Sequence, residues 1–221
     1  MEVTAAEATA AIKNMSNYDI QAEAARKIFL KYNQEEIVEE FKLVHDENYI
    51  FVNFVHSLYR IEKNCGRVER KEAENWVPGN FHEAMSIYDM LCNKNGFPVL
   101  AGKWSPIGNL GGMRNASAPV GAEAFAQYGE AFAGKQELLR RACEMLGGSA
   151  APKGDVAYYL PMFDFFPVYL RFYDADEEFS AQLQILWDTN TCRYVHYETT
   201  FYMTDVLLET LYKFMQQDLG V

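Results

Sequence analysis

Trp104 and, seven residues later, the run Gly111-Gly112-Met113-Arg114 form the first set of residues whose types suit chemistry. Adjacent glycines permit positive φ and let backbone N–H groups converge on an anion or a ligand edge. Arg114 can then pair with a carboxylate or phosphate, and Trp104 opens the loop that carries them. The plainer reading is a turn that folds the loop back onto a sheet.

His196 and Glu198 form the second set. On extended backbone, residues two apart face the same side, and a helix starting just after them favours a carboxylate at its positive end. Such a pair does acid–base work if it lies in a cleft. A helix cap beside a surface histidine is the plainer reading.

Asp174, Asp176, Glu177, Glu178 and Asp188 are the third. Asp174, Asp176 and Glu178 place alternate oxygens as a calcium loop does, but Phe179 stands where that loop needs Gly, and Ile185 where it needs Glu. What is left is a weak cation site or a hairpin tip of solvated carboxylates. Other motifs fail outright. Gly96 to Lys103 has the wrong spacing for a phosphate loop, and Trp104 replaces its hydroxyl residue. His82-Glu83 begins a zincin motif that Ser86 interrupts, so Glu83 is assigned to a capping box with Asn80.

The elements that must position these residues are legible in periodicity. Ile20, Ala24, Ile28 and Tyr32 recur at helical spacing with Asn17 as cap, and a second helix follows from Gln34 to about Val44. Asn48 to Val55, Ser57 to Lys63 and Gly66 to Lys71 read as an antiparallel meander. A helix opens at Asn80 and closes near Gly96. Gly96 to Gly121 is irregular, with six glycines and three prolines among large apolar residues. A loop of that kind packs on the domain or lines a site. Helical spacing resumes over Glu123 to Phe132 and Lys135 to Leu146. Val156 to Leu160, Phe165 to Tyr173 and Phe179 to Trp187 read as strands, and a last helix starts near Thr200. The expected fold is α+β: a single domain over residues 17–217, its antiparallel sheet built from hairpins, with helices packed on it and at both termini. Residues 1–16 are expected to be a poorly ordered tail.

Composition narrows the function classes. A net charge of -11, from 31 acidic and 20 basic residues, with no basic cluster, argues against nucleic acid and anionic membranes as partners. No apolar run reaches membrane-spanning length, and the N-terminus lacks a signal-peptide pattern, so a cytoplasmic protein is expected. Cys65, Cys92, Cys143 and Cys192 are too far apart for a C-x-x-C zinc or iron–sulfur motif. No cofactor is evident from the residues themselves.

Several short motifs fall in a recognisable order: Asn17-Tyr-Asp19, Gly102-Lys-Trp104, Leu110-Gly-Gly-Met113, Leu146-Gly-Gly148, Phe172-Tyr-Asp-Ala-Asp-Glu-Glu-Phe179, Ile185-Leu-Trp-Asp188, Tyr194 and Glu198. Over residues 17–214 they resemble the bacterial and archaeal domain-of-unknown-function family 3786. The resemblance implies a source among anaerobes and, since some members carry an added iron–sulfur segment similar to that of corrinoid iron–sulfur proteins, a corrinoid association. This chain lacks those cysteines. Three readings stay open. One is a small-molecule or cofactor-binding accessory protein of anaerobic metabolism, using the loop from Trp104 to Arg114 over an aromatic sheet face. The second is a protein-interaction or homo-oligomeric module. The third is a carboxylate enzyme with a divalent metal.

Overall fold

The computed structural model describes residues 16–110 and 125–218. Helix α1 (Asn17–Phe29) opens on a capping box: the Ser16 hydroxyl accepts from Asp19 N–H at 3.2 Å, and Asp19 Oδ2 accepts from Ser16 N–H at 3.0 Å. The cap is therefore one residue earlier than the expected Asn17. Asn33 caps α2 (Gln34–Phe41), and Lys42, at φ 52°, ends it in the left-handed conformation.

The chain then builds β1 (Val44–His45), β2 (Tyr49–Phe54), β3 (Ser57–Glu62), β4 (Val68–Glu72) and β5 (Asn75–Pro78), followed by α3 (Phe81–Leu91). Strand β6 (Trp104–Pro106) lies within the stretch expected to be irregular. After it come α4 (Ala126–Phe132), α5 (Gln136–Met145), β7 (Ser149–Ala150), β8 (Val156–Phe163), β9 (Phe166–Tyr173), β10 (Gln182–Asp188) and α6 (Tyr197–Asp218). All ten strands join one antiparallel sheet in the order β5-β4-β3-β2-β8-β9-β10-β6, with β1 on β2 and β7 on β8. The α+β hairpin architecture expected from the sequence is what forms. Among the described residues, no helix is long and apolar enough to cross a membrane.

Alternation on the central strands decides which face is buried. Val156, Tyr158, Leu160 and Met162 of β8 point the same way as Phe166, Val168, Leu170 and Phe172 of β9. Met203, Leu207, Leu211 and Met215 of α6 belong to the same large core. The opposite, outer face carries a second and smaller apolar cluster: Ala157, Tyr169 and Leu186, with Trp104, Ala151 and Tyr159 packed against it. Among the described residues, no helical residue joins that cluster.

The two meanders meet at one pair, Phe54 opposite Phe163, with Val55 N–H donating to Met162 O at 2.8 Å. Val55 and His56 both hold positive φ, 44° and 66°. That conformation is costly for a β-branched residue. It persists because the Val55 side chain is buried and its N–H is spent on the join.

The meander is tied to α3 by Glu83, 2% exposed. Its Oε2 accepts from Asn80 N–H at 2.7 Å, Asn80 Oδ1 accepts from Glu83 N–H at 2.9 Å, and Oε1 pairs with Arg70 of β4. The expected capping box is present, and it doubles as a buried ion pair. Glutamine can keep the box but not the charge. Glu83→Gln leaves Arg70 with only its pair to the exposed Glu72 and is expected to lower unfolding free energy by about 2 kcal/mol, and Glu83→Ala by about 1 kcal/mol more. Urea denaturation measures both; a Glu83→Gln protein as stable as the parent contradicts the assignment.

Burial also sets the alkaline limit. It pushes the Cys92 thiol and the Tyr158 hydroxyl up to about 12, and raises Cys143, Tyr59 and Tyr88 as well. A raised pKa favours the neutral form in the folded state, so this stability is fully present below the unfolded values. Those are about 8.5 for thiols and about 10 for tyrosines. Stability should fall progressively above pH 9, with phenolate absorbance from these tyrosines appearing only on unfolding. A denaturation midpoint unchanged from pH 8 to 11 counts against it.

Candidate functional site

Asp188 ends β10 with no exposed surface. Its Oδ1 accepts from Ala101 N–H at 3.0 Å and Asn190 N–H at 2.8 Å, and its Oδ2 from Gly102 N–H at 2.8 Å. Gly102 sits at φ +68°, a conformation that L side chains rarely adopt. Two further bonds close the same corner, Thr189 N–H to Lys103 O at 2.8 Å and Asn190 Nδ2 to Val99 O at 2.9 Å. A three-residue edge strand has little hold of its own, and these bonds fix it. Trp104, Ser105 and Pro106 are thereby set opposite Asp188, Trp187 and Leu186.

The strand delivers Trp104 to the outer face. Its ring lies 5.2 Å from Tyr159 and 6.2 Å from Tyr169, edge-on to the latter, and Tyr159 and Tyr169 are 5.0 Å apart. Such spacings suit tilted and edge-to-face aromatic contact. Tyr169 donates its hydroxyl to Lys153 O at 3.2 Å and is 4% exposed, while Trp104 and Tyr159 remain half-buried. One residue pair along, the Arg171 guanidinium carbon sits 4.9 Å over the Tyr169 ring. The result is an aromatic floor with a cation at one side.

The remaining sequence candidates are distributed differently. Gly111, Gly112, Met113 and Arg114 lie outside the described residues. His196 and Glu198 do not share an extended face, because α6 begins at Tyr197, three residues before the expected start. The cause lies on α3: Asp89 Oδ2 accepts from His196 N–H at 2.7 Å, and its other oxygen bonds the His196 imidazole. Glu198 falls in the first helical turn, exposed.

The acidic residues do not converge either. Asp174 takes Gly134 N–H at 2.9 Å, Gln136 Nε2 at 3.1 Å and Ala175 N–H at 2.8 Å. The Gly134 bond above all, helped by Gln136 and Ala175, holds its carboxyl below the usual range. Asp176 Oδ1 accepts from Glu178 and Phe179 N–H at 2.8 and 2.7 Å, which delays β10 from the expected Phe179 to Gln182. Glu177 and Glu178 point into solvent. Asp188 gives its oxygens to backbone. Among the described residues, no three His, Cys, Asp or Glu side chains group as a metal ion requires.

Three features escaped the sequence. Arg171 and Tyr169 alternate with core residues along an apolar strand, and only the register shows which neighbours they meet. His82 of α3 bonds Asp205 of α6 through Nδ1 at 2.7 Å and stacks on Tyr202 at 4.9 Å. With Asp89–His196 it makes a reciprocal pair of clamps between antiparallel helices, and 123 residues of separation hid it. A concavity of about 790 Å³ lined by Tyr32, Glu35, Glu39, His45 and Lys63 opens beside α2 and β1. Its charged lining residues are Glu35, Glu39, Glu47 and Lys63, Lys63 is bonded to Asp46 O, and it holds none of the sequence candidates.

The profile of the family described as Domain of unknown function (DUF3786) matches residues 33–210, and the chain belongs to that family. No curated protein and no solved structure matches it.

If Asp188 is the anchor of β6, Asp188→Ala leaves three backbone donors without their acceptor and should cost about 3 kcal/mol. Trp104 should also become more accessible, so that acrylamide quenching of tryptophan fluorescence rises in the folded variant. Unchanged stability and quenching would show that β6 is held by other contacts.

Proposed function

We propose that this member of the family is a small-molecule-binding protein whose ligand stacks on the floor of Trp104, Tyr159 and Tyr169 on the outer face of the sheet. The observation that carries the reading is the anchoring of Trp104. A buried carboxylate and two further hydrogen bonds are committed to a three-residue strand, and what that strand presents is a half-buried indole among tyrosines. Aromatic side chains held rigid from beneath, with no helical residue of the described chain packed on them, suit a planar organic ligand. Stacking of that kind needs no catalytic group, and the metal-dependent carboxylate reading finds no support in where Asp174, Asp176, Glu178 and Asp188 lie.

The accessory role in anaerobic metabolism, and a corrinoid as the ligand, rest on the family resemblance alone. They set the order in which ligands are tried. The interaction-module reading would draw on the other half of the same face, where Tyr49, Phe51 and Trp76 cluster around Arg60.

The test is a thermal-shift screen of corrinoids, flavins, haem and nucleotides. A ligand at about a hundredfold above its Kd should raise Tm by roughly 5–10 °C. The shift should vanish in Trp104→Ala and survive in Trp76→Ala. A ligand whose shift survives Trp104→Ala, or a screen with no shift at all, removes this reading.

A further inference from the structure

The described outer face holds two arginines stacked on tyrosine, and they differ in their partners. Arg60 on β3 lies 4.1 Å over the Tyr49 ring and 4.4 Å over Trp76, and its Nη2 pairs with Glu69 at 2.6 Å. Glu69 is its direct cross-strand neighbour on β4. That arginine is complete: rings on its faces, a carboxylate at its edge.

Arg171 on β9 has the ring without the carboxylate. Its cross-strand neighbours are Ala157 on β8 and Gln184 on β10. Among the described residues, ion pairs form at Arg26, Arg60, Arg70, Arg140 and Arg141, and Arg171 is in none of them. Arg67 and Arg193 also lack one, but both are exposed and solvated by water. Arg171 is half-buried, and its Nε is fully buried with no hydrogen-bond partner among the described residues. A buried donor left unsatisfied is costly and uncommon.

Its position is also fixed. The left-handed turn of Lys153 and Gly154, at φ 71° and 121°, passes against it, and a Cβ on Gly154 would meet Arg171 Cγ at 3.0 Å. Glycine is thus required where the arginine stem passes. In a chain of net charge -11, a half-buried cation with no counterion among the described residues is set apart from the prevailing field.

We infer that Arg171 is an anion-recognition residue, and that the ligand of the Trp104–Tyr159–Tyr169 floor carries a carboxylate, phosphate or sulfonate at its edge. This deepens the binding reading above and rests on it. The guanidinium supplies the charge-assisted bonds that Glu69 supplies internally to Arg60. Ring and anion together define the ligand class: a planar molecule, anionic at one edge.

Two fluorescent probes with the same ring system separate the two ideas. 1-Anilinonaphthalene-8-sulfonate carries the anion; N-phenyl-1-naphthylamine does not. The parent protein is expected to bind the sulfonate about tenfold more tightly than the neutral probe. Arg171→Gln should abolish that preference, Arg171→Lys should keep most of it, and Arg60→Gln should leave it unchanged. Trp104→Ala should weaken both probes alike. Equal affinity for the two probes in the parent, or a preference that survives Arg171→Gln, overturns the role of Arg171 while leaving the floor standing. Failure of the parent to bind either probe, or binding of both untouched by Trp104→Ala, removes the floor and this inference with it.

Discussion

The buried carboxylate of Asp188 is the constraint on which the outer face depends. A carboxylate with no solvent contact is tolerated only when its charge is met by well-placed donors. Here the donors are the backbone N–H groups of Ala101, Gly102 and Asn190. The same bonds that satisfy the charge stop the chain at Gly102, turn it through positive φ and lay Trp104–Pro106 along β10. Without this corner, a three-residue strand carrying a proline would have no reason to stay on the edge of a sheet.

From that anchor the face divides into two halves that answer to one chemistry differently. In the β2–β5 meander the aromatic residues enclose a guanidinium whose partner is built in at Glu69. In the β8–β10 half Arg171 lies over the Tyr169 ring alone, and alanine and glutamine occupy the cross-strand positions. Sequence composition hides this contrast, because Arg, Tyr and Trp are present in both halves. Cross-strand register exposes it, since register decides which side chains meet. The difference between a finished ion pair and an open one turns an aromatic surface into a candidate site.

Much of the scaffold was legible in the residues. The capping box at Asn80 and Glu83, the hairpin patterning of β2–β3 and β8–β10, and the α+β class follow from local signals. Element edges were less so. Ser16, Asp89 and Asp176 each moved a boundary by providing or withholding a hydrogen bond, and in the case of Asp89 the donor and acceptor lie 107 residues apart. Strands β5 and β6 are too short to show alternation, and Val55 adopts a turn conformation that no turn residue announces. Of the site, Trp104 was identifiable, and Asp188 was singled out for another role, as a cation ligand. Asp188 reads as one more carboxylate of an acidic hairpin until its three donors are seen. Arg171 reads as a solvated strand residue until its neighbours are known. Membership of the DUF3786 family fixes kinship for residues 33–210 and brings no chemistry with it.

The chain offers a direct reporter, because its three tryptophans sit in three environments: Trp187 in the core, Trp76 beside Arg60, and Trp104 on the proposed floor. Indole N–H resonances in a two-dimensional ¹⁵N–¹H spectrum, followed while an anionic planar ligand is titrated in, separate them. The account requires the Trp104 resonance to shift saturably while Trp76 and Trp187 stay in place. A ligand that moves Trp76 and leaves Trp104 fixed would contradict it.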